Sequence, residues 1–370
     1  MSLRASSTEQ PGGADAPLLH DALSHRLGQW LARVPLRMLA GRLVAIPVSI
    51  FAVVTLAFWL IRLSGANAAA EIGGPYADAQ TIAKIEHQLG LDQSLWMQYL
   101  SFLKGLVHGD MGASYFTRQP VSHEIFSRLP LDLTIGVLAL LVAMVVGVGM
   151  GAIGAYYRGR SADGVTRILV SALQSLPDYV FALTLIYVFF YVLKLAPAPI
   201  GQLPMRMQAL PGPTGVALLD ALVHGDGAVF RAALQQLALP VLSYGLVLSA
   251  VFARVTRMSI SQTLASGQVM YARACGVTPG RIFCSVLAAS RTAILTTVAV
   301  VTGAIIGGGA ILQKIYNLDG AAAFGVDSIF KFDLPVIQGV VIVFASLSIV
   351  AYLLIDIVIL LLDPRVRAKH

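Results

Sequence analysis

Residues 133–157 read LTIGVLALLVAMVVGVGMGAIGAYY, an unbroken run without a charged side chain. A bilayer core about 30 Å thick is crossed by a helix of about 20 apolar residues, so this run is long enough to span one. A membrane β-strand would alternate apolar and polar residues over about 10 positions. This run does not alternate, and helix is the reading that remains. Gly147, Gly149, Gly151 and Gly154 fall within it, and small residues let helices approach closely in lipid.

Working outward, the same pattern recurs. Residues 43–61, 232–253, 292–313 and 334–355 are uncharged, and 168–193 carries one acid, Asp178. The last run continues as an apolar helix to 362, interrupted by Asp356. The expectation is an all-α membrane protein with six transmembrane helices, at about 43–61, 133–157, 168–193, 232–253, 292–313 and 334–362. Composition agrees. Of 370 residues, 57% are apolar and 12% charged, with mean hydropathy +0.77, against about 45–50% and about 25% in soluble domains. So little charge excludes an ordinary soluble enzyme, a disordered chain and a coiled coil.

Six spans place both termini on one side, together with 158–167 and 254–291. That side carries 16 of the 26 Lys and Arg but only five of the 19 acids. Short loops rich in Lys and Arg stay inside, so both termini are cytoplasmic and the formal charge of +7 reports topology. No basic patch interleaved with aromatics points to nucleic acid. Residues 1–42 form a cytoplasmic tail, in which Leu19, Leu23, Leu27, Trp30 and Leu31 are spaced for a helix lying on the inner membrane face.

Outside, segment 64–132 holds two predicted helices. Ala79–Leu89 is stopped by Gly90, and Leu95–Val107 is capped by Ser94. The second outer segment, 194–231, has five of the 17 prolines and reads as loop. The inner loop 254–291 is much longer than a connector needs to be. Ser259–Cys275 reads as one helix, Gly276 as a left-handed stop, and Thr278-Pro279 as the cap and first position of a second helix. Segment 258–289 is thus a helix–turn–helix knob at the inner face.

Here the chain resembles the B-type permease of bacterial dipeptide, oligopeptide and nickel ABC importers. That family carries a loop motif near Tyr-Val-Arg-Thr-Ala-Arg-Ala-Lys-Gly and, further on, Ala-Leu-Arg-Asn-Ala. The chain has Gln268-Val269-Met270-Tyr271-Ala272-Arg273-Ala274-Cys275-Gly276, then Ala289-Ser290-Arg291-Thr292-Ala293. Leu89-Gly90-Leu91-Asp92, His108-Gly109-Asp110-Met111-Gly112, Arg128-Leu129-Pro130, Tyr157-Arg158-Gly159-Arg160, Asp333, Pro335-Val336 and Asp363-Pro364-Arg365 match in order. The resemblance spans about 43–367, the permease domain. Departures lie towards the outer face: Ser64-Gly65-Ala66-Asn67 replaces a Pro-Gly-Asp-Pro, Gln313 a Glu, and Thr296 a Pro.

The resemblance implies a type I ABC importer permease fold in the bacterial inner membrane. It implies a second homologous permease, cytoplasmic ATPase subunits holding ATP and Mg, and an extracytoplasmic binding protein. Ala272, Arg273, Ala274, Gly276, Arg281 and Arg291 would couple the knob to the ATPases. The chain has no G-x-x-x-x-G-K-[ST] phosphate cradle, so no ATP site of its own is expected. No catalytic residue, metal ligand set or cofactor is expected either, and the chain is not read as an enzyme by itself. Cys275 and Cys284, both in the inner loop, are expected as free thiols. Asp178, with Gln174 one helical turn away, either lines the translocation path or makes a structural hydrogen bond. The rival reading is a proton-coupled secondary transporter. It would need several intramembrane acids or an internal repeat, and neither is evident. Cargo is left open among dipeptides, oligopeptides, nickel chelates and glutathione.

Overall fold

The computed structural model describes residues 36–63, 68–74, 76–208 and 210–362. The tail stripe Leu19–Leu31, the stretch 64–67 and the Asp363-Pro364-Arg365 end lie outside these residues. Among the described residues the chain is helical, with only an isolated antiparallel bridge between Ala113 and Pro120. Five helices are long and apolar enough to cross a membrane, and a bent pair makes six.

The first helix, α1 (Leu36–Leu63), starts before the apolar run and takes in Arg37 and Arg42. Three short helices, α2 (Ala68–Gly73), α3 (Ala79–Gln88) and α4 (Leu95–Val107), follow on the outer side. The expected Ser94 cap and Gly90 stop are present, and Asp78 adds a cap that was not among the expectations. Asp78 accepts from Thr81 N at 2.9 Å, Ser94 Oγ accepts from Met97 N at 3.4 Å, and Gly90 has φ +65°. Helix α4 is joined to α1 by aromatic contacts. Phe58 meets Tyr99 and Phe102, and Trp59 meets Trp96, with ring centroids 5.2–5.6 Å apart.

Helices α5 (Val121–Tyr156) and α9 (Gly227–Leu264) have 36 and 38 residues. At 1.5 Å per residue they are about 54 and 57 Å long, far more than the bilayer core. Among the described residues they share the most extensive helix–helix contact, and its seam is made of small residues. A Cβ on Gly151 would sit 2.6 Å from the Ala253 carbonyl oxygen, and one on Gly245 would sit 2.7 Å from Val142 Cβ. Gly147, Gly151 and Gly154 of α5 are therefore packing residues, as close helix approach in lipid requires, whereas Gly149 faces open space.

Between them the third span departs from its expected form. Residues 168–193 were expected as one helix. Instead α6 (Ser161–Ser175) and the pair formed by α7 (Asp178–Leu185) and the π-helical turn Ile186–Val192 meet at 106°. Proline disfavours helical backbone in the residue before it. Leu176 accordingly is extended, at φ −92° and ψ 132°, immediately before Pro177. Gln174 and Asp178 lie on opposite arms of this bend, so the one-turn relation expected between them does not form.

The second outer segment is also not simply loop. It contains α8 (Ala217–His224), ended by Gly225 at φ +69°. Span five divides at Gly309 into α12 (Arg291–Gly308) and α13 (Ala310–Ile315). Helix α14 (Ala321–Phe330) packs against α5 and α15, and α15 (Leu334–Leu362) is the last of the long helices.

Two carboxylates fasten the outer ends. Asp132 accepts from Gln313 Nε2 at 2.7 Å and from Ala321 N at 2.7 Å, at the start of α14. Asp333 accepts from Ser114 Oγ at 2.5 Å and from Tyr115 N at 3.2 Å. Burial pushes the Tyr115 phenol above its usual range, against the opposing pull of Arg62.

Candidate functional site: the inner-face knob

The inner end of α9 runs beyond the span to Leu264, and there the expected single helix breaks. Ala265 N donates back to Ser261 and Gln262, and a new helix, α10 (Gly267–Ala274), begins after Ser266. The Ser266-Gly267 pair, a turn-marking dipeptide inside the expected helix, stands at the interruption, which turns the chain back onto its own inner cluster. Ile260, Val269, Ile282 and Val286 bury their side chains there, against Ala155 of α5. Full burial of such a side chain is worth about 1.5–3 kcal/mol, so the knob is a packed body.

Its turn is fixed by backbone geometry. Gly276 N donates to Arg273 O at 3.0 Å, and Val277 N donates to Ala272 O at 3.1 Å. These paired bonds form a Schellman motif, which demands a left-handed residue after the helix, and Gly276 has φ +74°. Thr278 then adopts the extended cap conformation, Pro279 takes the first helical position, and α11 (Pro279–Ala289) runs back to the membrane. Buried Ser290, whose hydroxyl donates to Val286 O at 3.0 Å, joins α11 to α12.

The predicted residues separate into two groups. Ala272 is half-buried and packs on the inner cluster. Arg273, Ala274, Gly276, Arg281 and Arg291 are exposed. Arg273 lines a cavity of about 550 Å³ with Arg158, Arg160 and Phe283, whereas Arg281 and Arg291 do not enter it. Cys275 and Cys284 are exposed free thiols. Met270 and Tyr271, which stand in the loop motif but were not among the expected coupling residues, are 71% and 74% exposed at the tip. The available signal was their position on the helix face opposite Val269 and Ala272. Large apolar groups exposed on a protruding helix are the kind of feature that a partner covers.

The path candidates lie apart from the knob. Asp178 is half-buried at the start of α7, accepts from Tyr179 N at 3.0 Å, and is within electrostatic reach of Tyr244. Gln174 is exposed and borders a basic inner-face cavity. Among the described residues no group of three or more His, Cys, Asp and Glu is placed to hold a metal ion.

Known proteins are similar to this chain in sequence over most of its length. Residues 124–368 match the family described as binding-protein-dependent transport system inner membrane component. This chain belongs to that family. A companion description, binding-prot-dependent transport system membrane comp, N-term, matches residues 35–136. The chain is 32% identical over 337 residues to the di/tripeptide transport system permease protein of Pseudomonas aeruginosa, covering 90% of this chain and 100% of that one. It is 31% identical to the dipeptide transport system permease protein of Escherichia coli K12, with 80% and 86% covered. It is 30% identical to the glutathione transport system permease protein of Escherichia coli O6:H1, with 89% and 98% covered.

The protein is therefore a multi-pass inner-membrane permease subunit of an ABC importer. The secondary-transporter reading is set aside by this membership.

Proposed function

We propose that this permease forms half of the translocation path of an ATP-driven importer for peptides or similar small solutes. A second, homologous permease supplies the other half, and an extracytoplasmic binding protein delivers the cargo. ATP and Mg are held by cytoplasmic ATPase subunits, into which α10 and α11 dock. The observation that carries this reading is the knob itself, an exposed helix–turn–helix tied to α5 and α9 through a buried cluster. A rigid body of this kind transmits movement of a docked partner into the spanning helices. Ala272 seats α10 on the cluster, Gly276 sets the turn, and Arg273, Ala274, Arg281 and Arg291 face the ATPase side. The peptide cargo is supported by the relatives, which serve di/tripeptide, dipeptide and glutathione transport.

The test is co-purification from the native host. An ATPase and a second six-span permease should purify with the tagged chain, and scrambling 268–285 should release the ATPase while the chain stays in the membrane. Retention of the ATPase by the scrambled chain would refute the docking role. We further propose that Asp178 lines the path. Asp178→Asn should then change substrate-stimulated ATPase activity or transport affinity, whereas unaltered transport with a lowered melting temperature would make the residue structural.

A further inference from the structure

A second inner-face cavity, about 400 Å³ in volume, opens between the inner end of α5, α6 and the inner third of α9. Four arginines line it, Arg158, Arg167, Arg254 and Arg257, with Val170 and Met258 among its apolar walls. The acid beside it is Asp163, which is already engaged. Its carboxylate pairs with Arg257 at 2.8 Å and accepts from Gly159 N at 3.1 Å, with Arg167 more distant at 3.8 Å. Arg254 makes no ion pair among the described residues. Four guanidinium groups thus face one spent carboxylate, and the cavity has a surplus of positive charge awaiting an anion.

Its place in the fold identifies the anion. The arginines belong to the inner segments that fix the topology, so the cavity lies at the cytoplasmic surface of the bilayer. Beside it α6 turns an apolar face outwards, with Val165, Ile168 and Leu169 at 55%, 70% and 48% exposure. A basic hollow and an apolar helix face at the same depth match the two ends of a phospholipid. Guanidinium groups bind phosphate oxygens in pairs, and basic pockets between spanning helices on the cytoplasmic side suit anionic headgroups.

We propose that this cavity binds the phosphate headgroup of an anionic inner-leaflet phospholipid, with its acyl chains along the exposed face of α6.

The test uses the complete purified transporter in nanodiscs and native mass spectrometry. Wild type should retain phosphatidylglycerol over phosphatidylcholine of the same chains, and the Arg167→Gln/Arg254→Gln variant should lose about tenfold or more of that preference. Lys331→Gln, an exposed cation away from the cavity, should leave it unchanged. A photoactivatable phosphatidylglycerol provides a readout on unmutated protein, and should label peptides covering 158–170 and 254–261. Equal preference in the double variant, or labelling confined to other helices, would overturn the proposal. So would inorganic phosphate that raises the melting temperature in phosphatidylcholine discs as much as phosphatidylglycerol does, because the site would then take a soluble anion.

Discussion

At the scale of single residues, two glycines show how the same residue type serves different physics. Gly151 is required by contact: a Cβ there would press on the Ala253 carbonyl and on Thr256. Gly276 has nothing within 4 Å of such a Cβ, so its requirement is the backbone alone, at φ +74°. A β-branched side chain in that conformation costs about 1–2 kcal/mol. Gly276→Val should therefore weaken the knob's docked state by roughly 5–30-fold, by conversion at RT, while the chain still inserts and packs. Stimulated ATPase activity of the reconstituted importer should fall accordingly. Gly276→Asn should retain most of it, because Asn tolerates the left-handed region. Wild-type activity in the valine variant would remove the turn from the coupling route. Gly276 was legible in the sequence because a glycine between two helical stretches has one common explanation. Asp132 was not legible. It borders the uncharged run 133–157, and nothing local distinguishes it from an ordinary charge at a span's end.

At the scale of elements, that missed aspartate holds the outer half together. Asp132 on α5 takes donors from Gln313 on α13 and from Ala321 and Ala322, whose N–H groups open α14. Gln313 in turn accepts from Ala323 N at 3.1 Å. Helix α5 and the α13–α14 pair, far apart in sequence, thus meet at one carboxylate, and the negative charge stands at a helix N-terminus, where it is favoured. Removing it strands the amide donors, at a cost of about 1–3 kcal/mol. Asp132→Ala should lower the thermal midpoint of the purified permease complex and speed amide exchange across 320–326 before other outer segments. Exchange unchanged in that window would show that α14 is held by packing alone. Spans were readable because long apolar runs have few alternative fates, but their bends and breaks were only partly so. The proline at 177 was visible in the sequence. The 106° angle depends on how α6 and α7 each pack against α9, which local sequence does not encode.

For the whole molecule, the sequence argument rests on charge asymmetry, and the fold supplies a direct way to check it. Cys275 and Cys284 are the chain's two cysteines; both are exposed, and both sit on the knob. They lie on the same side as Arg254, Arg257, Arg273 and Arg281, which the positive-inside rule places in the cytoplasm. The apolar runs say only how often the chain crosses the bilayer. They are blind to direction, and so is the packing of α5 against α9. A membrane-impermeant maleimide should therefore label both thiols in inverted membrane vesicles and neither in right-side-out vesicles. ATPase docking over α10 and α11 should slow the reaction in the intact complex, and stripping the ATPase should restore it. Labelling from outside would invert the topology and displace the ATPase-docking role from the knob. Equal reactivity with and without ATPase would keep the topology and move the docking surface off the cysteine-bearing face. One reagent, applied to a chain without introduced mutations, thus separates the orientation of the knob from its docking.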